Sequence, residues 1–337
     1  MDQKKAIAEM EAYIEKFPGN LLEAVEIGKN AITNFNTPPV NKVAVVGLGG
    51  SGIGGKVISD MVWDCCDAPI SFIQDYDIPA WVDSKTLFIA VSYSGNTEET
   101  LSALEGAIAQ GASITCITSG GKLSEIATDK NFNCIVIPGG QPPRTSFGFN
   151  AAQNLFVLGA FGLIAGLDYS GQLVAAGELL QNNQKKIREE ARKIAEKLTG
   201  LFPVIYSSNR MEGAAVRLRQ QINENAKQLC WHHVLPEMNH NELVGWAGAP
   251  DNIAALFIHS PEDHAKTKRR QSLTVEIIEK HAKTIVDLHP EGESRIERIY
   301  WLIHLGDWIS FYMAEANGAD PIEIGVIDYF KAELAKL

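Results

Sequence analysis

The sequence predicts an α/β fold built from two doubly wound parallel sheets, each with helices on both faces. Three observations carry this. Short β-rich apolar runs alternate with helical stretches along the chain, which is the pattern of a parallel sheet. The same strand–helix plan occurs twice, with a period of about 160 residues. The 337 residues, 45% of them hydrophobic, are more than one core commonly supports and supply enough apolar surface for two.

Taken in order, MDQKKAIAEMEAYIEKF places Ile7, Met10, Ile14 and Phe17 at helical spacing, which predicts an amphipathic helix packed on the body. Its acidic residues and lack of an apolar run argue against a secretory signal. KVAVVG (42–47) is a strand, followed by a glycine-rich loop and a helix over KVISDMVWD. PISFIQDYD and TLFIAVSYSGN are strands, the second feeding another loop and a helix over about 97–110. Leu101, Leu104 and Ile108 share one face of it. SITCITS and CIVIPGG are two further strands with a helix between them. The apolar stretch 155–167 is shorter than the roughly 20 residues a bilayer demands and reads as a buried helix.

A polar helical segment, 178–199, links the halves. Then FPVIYSS is a strand, NRMEGAAVRLRQQINENAKQL a loop and helix, NIAALFIHS a strand, and a long helix follows to about 281. TIVDLHP is the last strand, and RIERIYWLIHLGDWISFYMAEANG a helix ending at Gly318. The chain thus divides into an N-terminal helical segment (1–40), a first domain (41–175) and a second (176–337).

A net charge of -11 with no basic block disfavours nucleic acid and anionic membrane as partners. An anionic substrate then needs a local positive site. The 5 cysteines, an odd number with no C-x-x-C, point to a reducing, cytoplasmic setting. Cys65 and Cys66 are adjacent, an arrangement that rarely forms a disulfide.

Two loops carry the binding signal. Gly47-Leu48-Gly49-Gly50-Ser51-Gly52-Ile53-Gly54-Gly55 lies between a strand and a helix, where glycine lets backbone N–H groups approach an anion. It contains G-x-G-x-x-G, and Asp75 and Asp77 follow the next strand, so a dinucleotide site is one reading and a tight turn without ligand another. The second loop, Ser92-Tyr93-Ser94-Gly95-Asn96-Thr97, opens the next helix. Its hydroxyls converge where the helix dipole favours an anion. An ordinary N-cap by Ser94 or Thr97 explains one hydroxyl, but not three in six residues.

Three further segments hold candidate chemistry. On the helix after FPVIYSS, Arg217, Gln221, Glu224 and Gln228 form a polar stripe, and Leu218, Ile222, Ala226 and Leu229 the opposing apolar one. Glu224 is a candidate proton-transfer base, or a solvated residue paired with Lys227 or Gln228. His240, within Pro236–Trp246, is a candidate acid or base near neutral pH. His232, His233, Glu237 and Glu242 lie nearby without a recognised ligand spacing, so no metal is expected. Lys331 sits on a short terminal helix, where a lysine is ordinarily solvated.

The S-x-S-G-N-T loop with G-G-S-G one unit earlier resembles the SIS domain, a sugar-phosphate-binding module. With N-E-N-x-K (223–227), H-N-E-L-V-G-W (240–246) and I-D-Y-x-K (327–331), the chain from about Val43 to Lys331 is similar to the bifunctional phosphoglucose/phosphomannose isomerase family. The resemblance implies two SIS-type domains and a hexose 6-phosphate substrate. Ser92, Ser94 and Thr97 would hold the phosphate, with Ser51 adding a contact and Gly50, Gly52 and Gly95 shaping the loops. Glu224 would shuttle the proton between C1 and C2 through a cis-enediol. Arg144, after Pro142-Pro143, would stabilise the enediolate. His240, donated by the partner of a homodimer, and Lys331 would open the sugar ring. No cofactor or metal is implied. The chain departs from the pattern at Ile322, where a hydroxyl residue is expected after Asp-Pro. That bears on the use of mannose 6-phosphate rather than on isomerisation. Two alternatives stand beside this: a non-catalytic sugar-phosphate-binding protein, and a nicotinamide-dependent oxidoreductase resting on the first glycine loop.

Overall fold

A computed structural model describes residues 3–334 and residue 336. It opens with helix α1 (Gln3–Ala31). Then come β1 (Lys42–Val46), α2 (Gly49–Met61), β2 (Ile70–Ile73), β3 (Thr86–Ser92), α3 (Glu98–Ala109), β4 (Ser113–Thr118), α4 (Gly121–Asp129) and β5 (Asn133–Val136). The strands form one parallel sheet in the order β2-β1-β3-β4-β5. After α5 (Phe147–Ala160) and α6 (Tyr169–Leu198), the second unit runs β6 (Phe202–Ser208), α7 (Glu212–Asn225), β7 (Trp231–Leu235), β8 (Ile253–Ile258), α8 (Ala265–Ile278), β9 (Thr284–Leu288), α9 (Arg295–Ala316) and α10 (Gly325–Leu334). Its four strands are also parallel, in the order β7-β6-β8-β9.

Strand alternation sorts the side chains into layers. Ala44, Val46, Phe88 and Ala90 face α3 and α4 through Ala103, Leu104, Leu123 and Ala127. The opposite face of that sheet, with Val43, Val45, Leu87 and Ile89, meets α1, α2 and α5 in a core that continues to Ile205, Leu256 and Ile258 of the second sheet. The outer face of the second sheet, with Val204, Tyr206, Ala255 and Phe257, closes on Met238, Trp246 and Ile278. A helical layer is therefore sandwiched between the two sheets. Helix α9 lies at its centre, every residue from Ile296 to Ala314 buried, which explains an apolar sequence with no polar stripe.

Four features differ from the sequence-based expectation. The polar segment 178–199 is no linker: it belongs to α6, which begins at Tyr169, packs along α9 and buries Leu180, Ile187, Ala191, Ile194 and Leu198. The 175/176 division falls inside this continuous helix. The sequence reading also missed β7. Its two histidines and the half-exposed pattern of an edge strand hide the usual alternation.

The glycine run is likewise no loop: α2 begins at Gly49 and carries the rest of it. Glycine serves close packing there. A Cβ on Gly55 would stand 2.8 Å from Val45 Cγ1 of the sheet, and one on Gly52 only 2.1 Å from the Gly47 carbonyl oxygen. Across the seam between the units, a Cβ on Gly213 of α7 would meet Val57 Cα at 2.8 Å. At that contact Asp60 of α2 accepts the Gly213 N–H at 2.6 Å, and Lys56 bridges Asp60 and Glu212 at 3.0 and 2.9 Å.

Candidate active site

Strands β1 and β3, parallel neighbours inside the sheet, deliver the starts of α2 and α3 to its same, carboxyl-terminal end. Ser92 ends β3, fully buried, with its hydroxyl 2.8 Å from that of Thr97. Thr97 directly precedes α3, yet its side chain makes no capping bond. The plain N-cap reading therefore does not account for this hydroxyl. Ser94 is exposed, and its oxygen accepts the Asn96 N–H at 3.2 Å. Gly95 has φ +69°, and a Cβ on it would lie 1.8 Å from the Gly120 carbonyl, so only glycine fits. The α2 start and the 92–97 loop are tied together: Ser51 Oγ, in the first turn of α2, accepts the Tyr93 N–H at 3.2 Å.

The same turn of α2 leads to the candidate acid–base residues. A Cβ on Gly50 would touch Arg144 Cα at 3.4 Å. Arg144, on a short 3-10 turn (Pro143–Ser146), is 3% exposed. Its Nη1 donates to Glu224 Oε1 at 2.9 Å. Its Nε donates to Asn225 Oδ1 at 2.8 Å, and its Nη2 to the carbonyls of Pro321 and Ile322. Burial lowers the Arg144 pKa, and the Glu224 carboxylate offsets that. A cavity of about 280 Å³ opens beside this pair, lined by Gly49, Gly50, Arg144, Arg217, Gln220, Gln221, Asn223, Glu224 and Ile327.

The polar stripe of α7 is thus no solvated face. Arg217 and Gln221 are 1% and 2% exposed and converge on buried Asp307 of α9: Arg217 Nη2 at 3.0 Å and Gln221 Nε2 at 2.7 Å. Arg217 also donates to the Arg144 carbonyl at 2.7 Å. The helix ends at Asn225, so Gln228 leaves the stripe, and Leu229 is 71% exposed rather than apolar core. Lys227 does not reach the Glu224 carboxylate. Its Nζ donates to the Glu224 carbonyl at 2.7 Å and to the Glu323 carbonyl at 2.6 Å, tying down the segment that leads to α10.

Other candidates stand apart. Ser92, Ser94 and Thr97 lie outside the cavity lining and join it only through Ser51 and α2. His240 is exposed at the end of a 3-10 turn (Glu237–His240), and Lys331 is exposed on α10; neither lines the cavity. His233 is held by Glu242 at 2.6 Å. Asp307, Asn225 and Ser310 were not singled out as functional from the sequence. The signal for Asp307 was there: one acid inside the apolar run of α9 must find a buried partner.

Two parallel sheets of SIS plan, with a buried Arg144 paired to a part-exposed Glu224 beside the first turn of α2, define a sugar-phosphate protein of the SIS class. Residues 187–334 match the bacterial phospho-glucose isomerase C-terminal SIS domain. The chain is 39% identical over 334 residues to a bifunctional phosphoglucose/phosphomannose isomerase of Caldicellulosiruptor bescii, covering 96% of this chain and 98% of that protein. It belongs to the bifunctional phosphoglucose/phosphomannose isomerase family. A D-glucosamine-6-phosphate 4-epimerase of Sulfolobus acidocaldarius is 34% identical over 73% of this chain and 76% of its own length. Among solved structures, the tagatose-6-phosphate ketose/aldose isomerase of Escherichia coli superposes with a TM-score of 0.75 over 94% of this chain and 95% of its own, at 15% identity. Among the described residues no helix is long and apolar enough to cross a membrane.

Proposed function

We propose that this chain interconverts the aldose glucose 6-phosphate and the ketose fructose 6-phosphate, and mannose 6-phosphate likewise, through a cis-enediol. The observation that carries this is the Glu224–Arg144 contact at 2.9 Å on the wall of a cavity that the first turn of α2 also lines, through Gly49 and Gly50. Ser92, Ser94, Thr97 and Ser51 hold the phosphate with neutral hydroxyls and the two helix starts. The Glu224 carboxylate takes the C2 proton of the open-chain aldose, and the electron pair moves onto O1. Arg144, adjacent to that base, stabilises the enediolate. Protonated Glu224 then returns the proton to C1, while the proton of O2 passes to O1, so that O1 becomes the C1 hydroxyl and O2 the ketone oxygen. One base on one face suffices for both transfers.

His240 and Lys331 open the ring. Both lie outside the cavity of their own chain, which favours a homodimer in which the partner copy brings His240 to the site. The exposed apolar residues Val244, Val326, Tyr329 and Phe330 on the same segments are suited to such an interface. The relationship to a 4-epimerase makes C4 chemistry the second activity to exclude. Assaying both hexose 6-phosphates for ketose formation with EDTA present, while following C4 inversion of glucosamine 6-phosphate, decides the matter. Ketose formation is expected. C4 inversion without isomerisation would overturn the proposal.

A further inference from the structure

Arg144 can stabilise an enediolate only if its guanidinium is held with one edge available, and the structure shows what holds it. Nε is committed to Asn225 Oδ1, and Nη2 to the two carbonyls of 321 and 322. This leaves Nη1 as the nitrogen shared with Glu224 and the cavity. Asn225 is itself fully buried. Its Nδ2 donates at 3.0 Å to Ser310 Oγ of α9, and that hydroxyl donates at 2.8 Å to the Asp307 carbonyl. The proton of Ser310 is therefore spent on Asp307, so Ser310 can only accept from Asn225. The amide must then turn its oxygen to Arg144. Every donor and acceptor along this chain has one possible direction, which is the condition for a rigid buried polar network.

We propose that Asn225, oriented by Ser310, is the positioning residue that sets the plane of the Arg144 guanidinium and so presents Nη1 to the developing oxyanion. The inference rests on the isomerase reading for its kinetic consequence, but not for its geometry. Asn225 touches no reacting atom. Its removal leaves Arg144 charged and still held through Nη2, but with the Nε edge that fixes the plane unanchored, so turnover suffers more than substrate binding.

The test uses the full chain and the variants Asn225→Ala, Ser310→Ala and their double, each checked for folding by its melting curve. Asn225→Ala is expected to lower kcat about tenfold or more with KM within about twofold, and Ser310→Ala to lower it less. The double variant is expected to be no slower than Asn225→Ala alone, because the two residues act in series. A folded Asn225→Ala enzyme with native kcat, or a double variant slowed by the product of the single effects, would overturn the proposal. A second readout does not depend on activity: the Arg144 Nε–H resonance, assigned by its loss in Arg144→Lys. It is expected to be protected from exchange in the native chain and in Glu224→Gln, and unprotected in Asn225→Ala and Ser310→Ala. If the native chain proves not to isomerise, the proposed function fails. The resonance then decides the positioning role alone, and protection persisting in both alanine variants would refute it.

Discussion

Arg144 and Glu224, 80 positions apart, meet at 2.9 Å across the seam between the two sheet units. One comes from the segment after the first sheet and the other from the helix after β6, so neither unit alone holds the pair. The resting ion pair places the proton acceptor and the charge that would stabilise its product side by side before substrate arrives.

Replacing Glu224 by Gln keeps the size and a hydrogen-bonding oxygen but removes the base. A loss of kcat of about 10³-fold is expected, with binding of a sugar 6-phosphate measured by calorimetry unchanged within a few-fold. Retained turnover would defeat the base assignment.

Ser92 and Thr97 are hydrogen-bonded to each other at 2.8 Å, and Thr97 is not spent on capping. Alanine at either position should raise KM about fivefold, the equivalent of roughly 1 kcal/mol for a lost hydrogen bond, with kcat less affected. Steady-state kinetics on fructose 6-phosphate read this directly.

The partner contribution of His240 has its own signature. Glu224→Gln and His240→Ala homodimers should each be nearly inactive. Mixing them under exchange conditions should restore activity, because one hybrid site combines a native Glu224 with a native His240. No recovery after proven exchange would place His240 in its own chain's site or outside the reaction.

His304 of α9 is fully buried, stacked on Phe17 at 5.4 Å, and its Nε2 accepts the Trp308 N–H at 3.2 Å. Tryptophan can only donate, so the imidazole is neutral with its proton on Nδ1. Burial pushes its pKa down to about 3. A depressed folded value means the stabilisation is fully present above the unfolded pKa of about 6.5 and is lost as pH falls towards 3, on the order of 4–5 kcal/mol over that span. Thermal melts between pH 7 and 4 should therefore fall more steeply in the native chain than in His304→Phe. Parallel curves would contradict this.

Gly213 admits no side chain, since Val57 Cα stands 2.8 Å from where its Cβ would lie. Gly213→Ala should cost about 1–3 kcal/mol by forcing α7 from α2, visible as a lower melting temperature. Because α7 carries Glu224, kcat should fall with it.

Much of this was legible in the sequence for physical reasons. Parallel strands buried on both faces announce themselves as β-rich runs, and the three hydroxyls at 92–97 exceed what a cap needs. The glycine run misled because glycine serves a loop and a close helix–sheet approach equally well, and only the positions of Val45 and the Gly47 carbonyl distinguish them. The α7 stripe misled because helical periodicity shows which residues share a face but not whether water or Asp307 faces them. What lay furthest from reach was Asn225 and Ser310, two ordinary polar residues whose importance exists only once α7 and α9 are side by side.

The most direct test follows the isotope. Glucose 6-phosphate deuterated at C2 is converted in ordinary water, and the label at C1 of fructose 6-phosphate is measured by NMR. A single carboxylate relay predicts partial deuterium at C1, the rest lost to solvent from protonated Glu224, and no conversion by Glu224→Gln. Complete retention of deuterium at C1, or an active Glu224→Gln enzyme giving the same labelling, would contradict it.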